Sequence, residues 1–379
     1  MLFCWAQEIP NEILHVAKYF SEFDNQFIVT PLIRQKDKAT YAEALSELSE
    51  GSGNIIVDPV YLKSPNSNFS NLLNPNTLLG DFLSIRKVIK RSKPDVIVCF
   101  YILHAYPLAL LKMLSNFSLC TVAMGSDVNL DNSYLQKVAK KFVYRNSDLI
   151  IARSWKLKDI LEKECNCGVI VNPSSTDTAF FKPLNSKAKL REKWGIKVES
   201  KVILTVCRLD KNKGVDVLLK SVGTWKNENV KVLVVGDGVE RKALEELSST
   251  LGLNEKVIFL GQRGKLELLE LYNLSDIFVL ASYAEGLPRV LLEAMACGCV
   301  PVVTDVGSVS SVVVSGDNGF TVEPGNHLQL AEKERKVLAM PEDKLRLMQT
   351  RARQSVIANF DSKKSWQSMI ESIKNVQAA

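Results

Sequence analysis

Short apolar runs alternate with segments of helical periodicity along most of the chain. Runs at 26–30, 54–57, 95–100, 118–122 and 149–152 form a first series, and runs at 202–206, 230–235, 257–260, 277–280, 300–303 and 319–322 form a second. They are rich in β-branched residues and mostly uninterrupted, the pattern of strands buried on both faces of a parallel sheet. Between them, amphipathic stretches at 77–92, 135–144, 155–164, 214–221, 240–251, 265–272 and 289–296 predict helices. This alternation predicts βαβ units and a doubly wound α/β fold. Two series imply two Rossmann-like domains, with the joint at 172–183, which holds two prolines and a Ser-Ser-Thr run. After it, 184–200 is polar and charged. Segment 362–376 places Trp366, Met369, Ile370 and Ile373 on one face and predicts a terminal amphipathic helix. The expected domains are 1–182 and 183–360, with the terminal helix at 361–379 crossing back to the first.

Composition narrows the class without naming a function. The chain has 379 residues, 46% hydrophobic and 24% charged, which excludes a disordered or collagenous protein. Eight cysteines are too sparse for a disulfide scaffold. Cys99 and Cys207 sit inside apolar runs and read as buried thiols of a reducing compartment. Cys165-x-Cys167 and Cys297-x-Cys299 lack the two-residue gap and the nearby histidines of zinc sites, and three histidines exclude a His-rich metal centre.

Charge and hydropathy bound the partners. The net charge of +6 falls mainly in the second half: residues 1–180 hold 19 Lys and Arg against 18 Asp and Glu, and the remainder 29 against 24. A nucleic-acid binder would show a stronger, more clustered basic footprint. A modest positive potential suits an anionic small molecule or an anionic membrane surface. The first ten residues have neither a basic segment nor a long apolar core, so no signal peptide is read there. The most apolar stretch, 96–111, is interrupted by His104 and Pro107 and is shorter than the ~20 residues of a spanning helix. It reads as a strand, a turn and a helix start. The expected location is cytoplasmic, with any membrane contact peripheral, at the inner face of the plasma membrane. Segments 86–93 and 137–145 mix cations with apolar residues at near-helical spacing; they read as helices packed on a sheet whose basic faces could meet anionic headgroups.

The segment with the most chemistry is 284–298, Ala-Glu-Gly-Leu-Pro-Arg-Val-Leu-Leu-Glu-Ala-Met-Ala-Cys-Gly. It follows a strand and opens a helix. Glu285 falls in the turn at the strand's carboxyl end, Gly286 permits close backbone approach, and Pro288 suits a first helical turn. Ligands of open α/β sheets lie outside the carboxyl ends of strands. Amide groups of Gly286, Leu287 and Arg289, with the helix dipole, favour a phosphate or developing negative charge there. Glu293 lies one turn into the helix. Two isolated glutamates would more often be ordinary surface acids.

The wording around them changes that reading. Residues 284–298 closely resemble the E-x7-E signature of the large family of retaining glycosyltransferases, glycosyl transferases group 1. Three further matches follow the family's order. Val206-Cys-Arg-Leu-Asp-Lys-Asn-Lys-Gly214 looks like its strand–turn–helix element, and Leu233-Val-Val-Gly-Asp-Gly238 looks like its next strand and glycine turn. Residues 300–307, with Gly316-Asp-Asn-Gly-Phe320, look like the strand and loop after the signature. The resemblance implies the GT-B fold, two Rossmann-like doubly wound parallel-sheet domains with a cleft between them. It implies transfer of a sugar from a UDP- or GDP-linked donor to a hydroxyl of a glycan or lipid-linked acceptor, in cell-surface polysaccharide or glycoconjugate synthesis. Arg208 and Lys213 would grip the donor diphosphate, Glu285 the sugar hydroxyls and Glu293 the ribose diol. Gly286, Leu287, Pro288, Gly236 and Gly238 would line the donor site.

The amino-terminal half departs from the family pattern. The family's first glycine-rich loop is replaced by Trp5-Ala-Gln-Glu-Ile-Pro-Asn-Glu12, which has no glycine. Ala123-Met-Gly-Ser-Asp-Val128 resembles the family's His-Gly-Ser-Asp-Val element with Met124 in place of histidine. Asp127 becomes the candidate for steering the acceptor hydroxyl, and His104 for touching the donor sugar. A histidine after a strand is about as often a packed or solvated residue. No Asp-x-Asp motif occurs and cations are already present, so no metal and no cofactor beyond the donor is expected. The alternatives are a non-catalytic nucleotide-sugar-binding homologue and a 2-epimerase-like GT-B enzyme; the latter needs other acids and histidines. A Rossmann dehydrogenase would need glycine at Arg241 to complete G-x-G-x-x-G.

Overall fold

The computed structural model describes residues 27–29, 32–34, 55–57 and 60–62 as backbone strands, and then residues 75–124, 128, 133–185, 187–225 and 229–377, with side chains from 82 onward. The expected loop at Glu8–Glu12 and the candidate Asp127 lie outside the described residues. The chain divides into two compact units, Met1–Pro173 with Lys363–Ala379, and Ser174–Ser362.

In the first unit, β1 (Phe27–Val29) pairs with β3 (Ile55–Val57) and β2 (Leu32–Arg34) with β4 (Val60–Leu62), both parallel. Its larger sheet is parallel throughout, in the order β5 (Val96–Phe100), β6 (Ser118–Ala123), β7 (Leu149–Ala152), β8 (Gly168–Val171). Strand periodicity sends alternate side chains to opposite faces. Ile97, Cys99, Leu119 and Ile150 pack under the helices α1 (Pro75–Ser92), α2 (Tyr106–Lys112), α3 (Tyr134–Asn146) and α4 (Trp155–Glu164). Val96, Val98, Phe100, Cys120, Val122 and Ile151 face the other way, onto Trp366, Met369, Ile370 and Ile373 of the terminal helix Ser362–Gln377. That helix therefore completes the core of the first unit, and Asn172 donates to the carbonyl of Ser365 at 2.7 Å.

The second unit carries a six-stranded parallel sheet in the order β11 (Val257–Gly261), β10 (Val230–Val235), β9 (Lys201–Val206), β12 (Ile277–Leu280), β13 (Val300–Thr304), β14 (Phe320–Val322). Strand order runs outward in opposite directions from the β9–β12 pair, so the topological switch point lies between them. One face packs on α5 (Lys187–Lys193), α8 (Lys265–Leu274), α9 (Arg289–Ala296) and α11 (Glu342–Asn359). The other packs on α6 (Val215–Gly223), α7 (Arg241–Thr250) and α10 (His327–Leu338). At the edge of this unit the outgoing and returning chain run side by side: the amide of Thr176 donates to the Phe360 carbonyl at 2.9 Å, and Ser362 donates to that of Thr176 at 2.8 Å.

Three helices of this unit were not expected from periodicity, and each has a physical reason. In α10 the buried positions are Leu330, Ala331, Glu334 and Val337, so an acid occupies an apolar slot. In α5 the buried pair is Leu190 and Arg191, the latter donating to Asp276 at 2.9 Å and to the Leu274 carbonyl at 3.0 Å. In α11 only the narrow stripe Met348, Ala352, Val356 is buried. Seven cysteines fall among the described residues and all are free thiols. No helix among the described residues is long and apolar enough to cross a membrane.

Candidate functional site

The site is built from the loops that leave the carboxyl ends of β9, β10, β12 and β13. After β9 the chain turns at Asp210, whose carboxylate accepts from the amide of Asn212 at 3.0 Å and from Arg208 Nε at 2.7 Å. The Arg208 side chain is 77% exposed despite that contact, so its guanidinium is available for further donation. The turn ends at Gly214, which sits at φ +61° and caps α6. A Cβ there would come within 2.0 Å of the Ala281 carbonyl oxygen, so only glycine lets this turn lie against the end of β12. The amide of Tyr283 donates to the carbonyl of Asn212 at 2.7 Å across the same seam.

That seam places Lys213 against Glu285. Lys213 Nζ lies 2.8 Å from Glu285 Oε1, and the two side chains are 22% and 11% exposed. Ser282, fully buried, donates its hydroxyl to the same oxygen at 2.8 Å. Thr304 at the end of β13 donates to the Ser282 carbonyl at 2.6 Å. The ion pair thus spans the switch point between β9 and β12, where ligands of open α/β sheets bind.

Gly236 and Gly238 lie in the turn after β10. Gly236 is at φ +128°, and a Cβ on it would stand 1.8 Å from the Cys207 carbonyl oxygen; at Gly238 the Leu209 carbonyl oxygen would be 2.3 Å away. The amide of Leu209 donates to the carbonyl of Asp237 at 2.9 Å. The two glycines therefore hold the loop that carries Arg208. On the other side Ser308, after β13, donates its amide to the carbonyl of Gly286 at 2.8 Å.

The signature residues separate into two environments. Leu287 is buried and Gly286 exposed. Pro288 stands at the cap of α9, one residue before the first helical turn where it was expected, and its φ of −70° is the value the ring fixes. Glu293 lies on α9, partly exposed at its surface. Its Oε2 accepts from the hydroxyl of Tyr272 on α8 at 2.9 Å. Burial pushes the Glu293 carboxyl up; the Tyr272 hydrogen bond and the charges of Arg289 and Lys265 hold it back. Cys207, next to Arg208, is pushed up to about 11 by burial and stays a thiol.

His104 belongs to the first unit, in the turn after β5. It is 1% exposed and its ring is tilted against Tyr101, centroids 5.3 Å apart. Tyr101 itself adopts φ +70°, a left-handed conformation uncommon for a bulky residue. Sequence reasoning did not single out Ser282, Thr304, Asp210 or Tyr272. Their roles arise from contacts between loops and helices distant in sequence, which spacing does not encode. Among the described residues no group of three His, Cys, Asp or Glu side chains lies close enough to hold a metal ion.

Comparison with known proteins gives three kinds of match. Residues 186–355 match the family described as Glycosyl transferases group 1. Among curated proteins, N-acetyl-alpha-D-glucosaminyl L-malate synthase of Bacillus anthracis is 30% identical over 246 residues, 64% of this chain and 61% of that protein. D-inositol 3-phosphate glycosyltransferase of Corynebacterium jeikeium is 29% identical over 252 residues, 63% of this chain and 59% of that protein. These matches thus span about three-fifths of the relatives' own lengths. Among solved structures, a glycosyltransferase from Rickettsia africae superposes with a TM-score of 0.84 at 21% identity, covering 99% of this chain and 98% of that one. Anabaena HepE, solved in complex with UDP, superposes at 0.81 and 20% identity, covering 99% of both chains. These structural likenesses show the fold, which is α/β and of the GT-B class.

Proposed function

Because residues 186–355 match the glycosyl transferases group 1 family, we propose that the chain is a retaining glycosyltransferase of that family. It moves a sugar from a nucleoside diphosphate sugar to the hydroxyl of a glycan or lipid-linked acceptor in cell-surface polysaccharide or glycoconjugate synthesis. The observation that carries this reading is the Lys213–Glu285 pair at the switch point of the second sheet.

Without ligand, Lys213 and Glu285 neutralise one another. A diphosphate brings a stronger, more highly charged acceptor, and Lys213 exchanges the carboxylate for phosphate oxygens. Arg208 adds a second cation from the exposed side of the same loop. Glu285, released from Lys213 but still tied to Ser282, accepts from the sugar hydroxyls. Glu293 accepts from the ribose diol. In the transfer, the bond between the anomeric carbon and the diphosphate oxygen breaks, leaving charge on the diphosphate. The acceptor oxygen bonds to that carbon on the same face, and its proton passes to the departing phosphate oxygen. The sugar passes through an oxocarbenium-like state. Arg208 and Lys213 stabilise the charge where it develops, which is electrostatic catalysis by preorganised cations. Since those cations meet the diphosphate, turnover should persist in excess EDTA.

UDP is the first nucleotide to test, because the fold neighbour HepE was solved with UDP and with UDP-glucose. A thermal-shift series with UDP-, GDP- and ADP-sugars identifies the base; a ligand at 100 times its Kd adds ~2.7 kcal/mol of stability. Donor turnover is then compared for the wild type, Lys213→Ala and Glu285→Ala. Equal turnover in all three would end the catalytic reading.

The first unit supports peripheral contact with an anionic membrane. Helix α3 has no acidic residue. Tyr134, Leu135 and Val138 are 80%, 66% and 49% exposed, and Lys137, Lys141 and Arg145 are exposed beside them. On α1, Leu83 is exposed with Lys87, Lys90 and Arg91. Apolar residues flanked by cations are the pattern of interfacial helices. In flotation, the protein should rise with vesicles containing phosphatidylserine and not with neutral ones; absence from both lipid fractions at low salt would remove this contact.

A further inference from the structure

Tyr272 and Glu293 come from different helices, α8 and α9, and meet between them in the second unit. The ring of Tyr272 is 1% exposed and is held edge-on by two aromatic neighbours. Phe181 stands 5.9 Å away at 73°, and Phe278 5.9 Å away at 69°. The backbone carbonyl of Tyr272 also accepts from Cys299 Sγ at 2.8 Å. Packing therefore leaves this side chain one orientation, and that orientation aims its hydroxyl at Glu293 Oε2, 2.9 Å away. The pair is asymmetric: the tyrosine is enclosed, while Glu293 is partly exposed. Glu293 is the more exposed member of the pair.

We propose that Tyr272 is a positioning residue: its hydroxyl holds one oxygen of Glu293 so that the other is presented to the ribose of the nucleotide. This inference rests on the glycosyltransferase reading of the site. A glutamate has three rotatable bonds, and fixing them before binding removes an ordering cost from the complex. The hydroxyl also governs charge. Burial raises the pKa of Glu293, and three groups oppose that effect: Tyr272 and Lys265 from α8, and Arg289 from α9 itself. Cys297, one turn further along, is held as a thiol by its own burial. Tyr272 is raised well above its ordinary range, so it remains a donor throughout the working pH range.

The test is Tyr272→Phe, which keeps the ring and removes the hydroxyl. Binding of UDP, GDP and ADP is measured by calorimetry across pH 5–9, and kcat and KM are measured with the sugar of whichever nucleotide binds tightest. The variant should bind that nucleotide about tenfold more weakly, the loss of one hydrogen bond to a charged group. The donor KM should rise while kcat changes little, because the contact is made equally in ground and transition states. The acid limb of affinity should move to higher pH, since Glu293 loses a donor that favours its charged form. Phe278→Leu loosens the same aromatic packing but keeps the hydroxyl, and should lower the melting temperature with a smaller shift of the acid limb than Tyr272→Phe. Wild-type affinity and pH profile in Tyr272→Phe would overturn the inference alone, as would the same limb shift in Phe278→Leu. A wild type that binds none of the three nucleotides would overturn the reading of the site, and this inference with it.

Discussion

Both units pack helices on a parallel sheet, yet they differ where strands end. In the second unit, neighbouring loops press backbone against backbone. Gly214 meets Ala281, Gly236 meets Cys207, Gly238 meets Leu209 and Gly307 meets Glu285, each so close that a Cβ would overlap a carbonyl. In the first unit, β5 runs into a tyrosine in a left-handed conformation and a buried histidine, with no glycine. Helices α1 and α3 and the turn after α2 leave Leu83, Met113, Leu114, Tyr134, Leu135 and Val138 exposed, with the cations of α1 and α3 beside them. On the reading proposed above, the second unit gathers its chemistry at a seam between its own loops, and the first meets a membrane through α1 and α3. The contrast explains why one half reads as motifs and the other does not. Loop seams need glycine and paired charges at fixed positions, and those leave a trace in sequence. A surface that answers to another molecule leaves only composition.

The largest expected effect is at the seam. Lys213→Ala should cut donor turnover about 10²–10³-fold, the usual loss when one preorganised stabiliser of developing charge is removed. Its melting temperature should fall by less than the activity, because the Ser282 hydroxyl still donates to Glu285 once Lys213 is gone. A comparable loss of stability and activity would mean that Lys213 is a structural tie.

The glycine seam itself is tested next. Gly236→Ala places a methyl 1.8 Å from the Cys207 carbonyl oxygen in a positive-φ conformation and should destabilise the protein by more than about 3 kcal/mol in urea unfolding. Gly252→Ala is the control. It has φ +69° but nothing within 4 Å, so only the backbone term of about 1 kcal/mol remains. Equal losses would show that the seam adds nothing beyond φ.

Much of this architecture was legible before any coordinates. The strand series apart from β2, β4 and β8, the turn holding Arg208 and Lys213, and the Glu285–Glu293 segment were visible as patterns, because parallel strands are apolar throughout and a turn packed against a neighbouring strand needs glycine. Two kinds of information were not. The contact of Lys213 with Glu285 joins positions 72 residues apart, and that of Tyr272 with Glu293 joins two helices; neither follows from periodicity. Helices α5 and α10 were also hidden, because Arg191 and Glu334 occupy core positions that a hydrophobic pattern leaves to apolar residues.

Glu334 makes that last point testable. It is fully buried on α10, and the hydroxyl of Ser221 on α6 lies 3.0 Å from its Oε2. Burial pushes its carboxyl from 4.5 up to about 8, against the partial relief of Ser221 and Arg335. A raised acid favours the folded state while neutral. Its contribution is therefore complete below pH 4.5 and is lost as pH rises through about 8. Glu334→Gln should abolish that slope and stabilise the protein by about 2 kcal/mol at pH 8, measured by urea unfolding across pH 5–9. An unchanged slope would place the titrating group elsewhere.

The smallest effect probes the other half of the contrast. Lys137 projects from α3 between exposed Tyr134 and Lys141. One cation near an anionic bilayer contributes about 1 kcal/mol, so Lys137→Ala should reduce partition onto phosphatidylserine vesicles about fivefold at low salt. At 1 M salt the Debye length falls to about 3 Å, and the difference between variant and wild type should vanish. Tyr134→Ser removes an apolar contact instead, so its deficit should persist in salt. Affinity for UDP should be unchanged in both, since neither residue belongs to the second unit. If either variant weakened UDP binding, the two units would not divide their roles as their surfaces suggest, and the exposed stripe on α3 would have to be read as part of the nucleotide site.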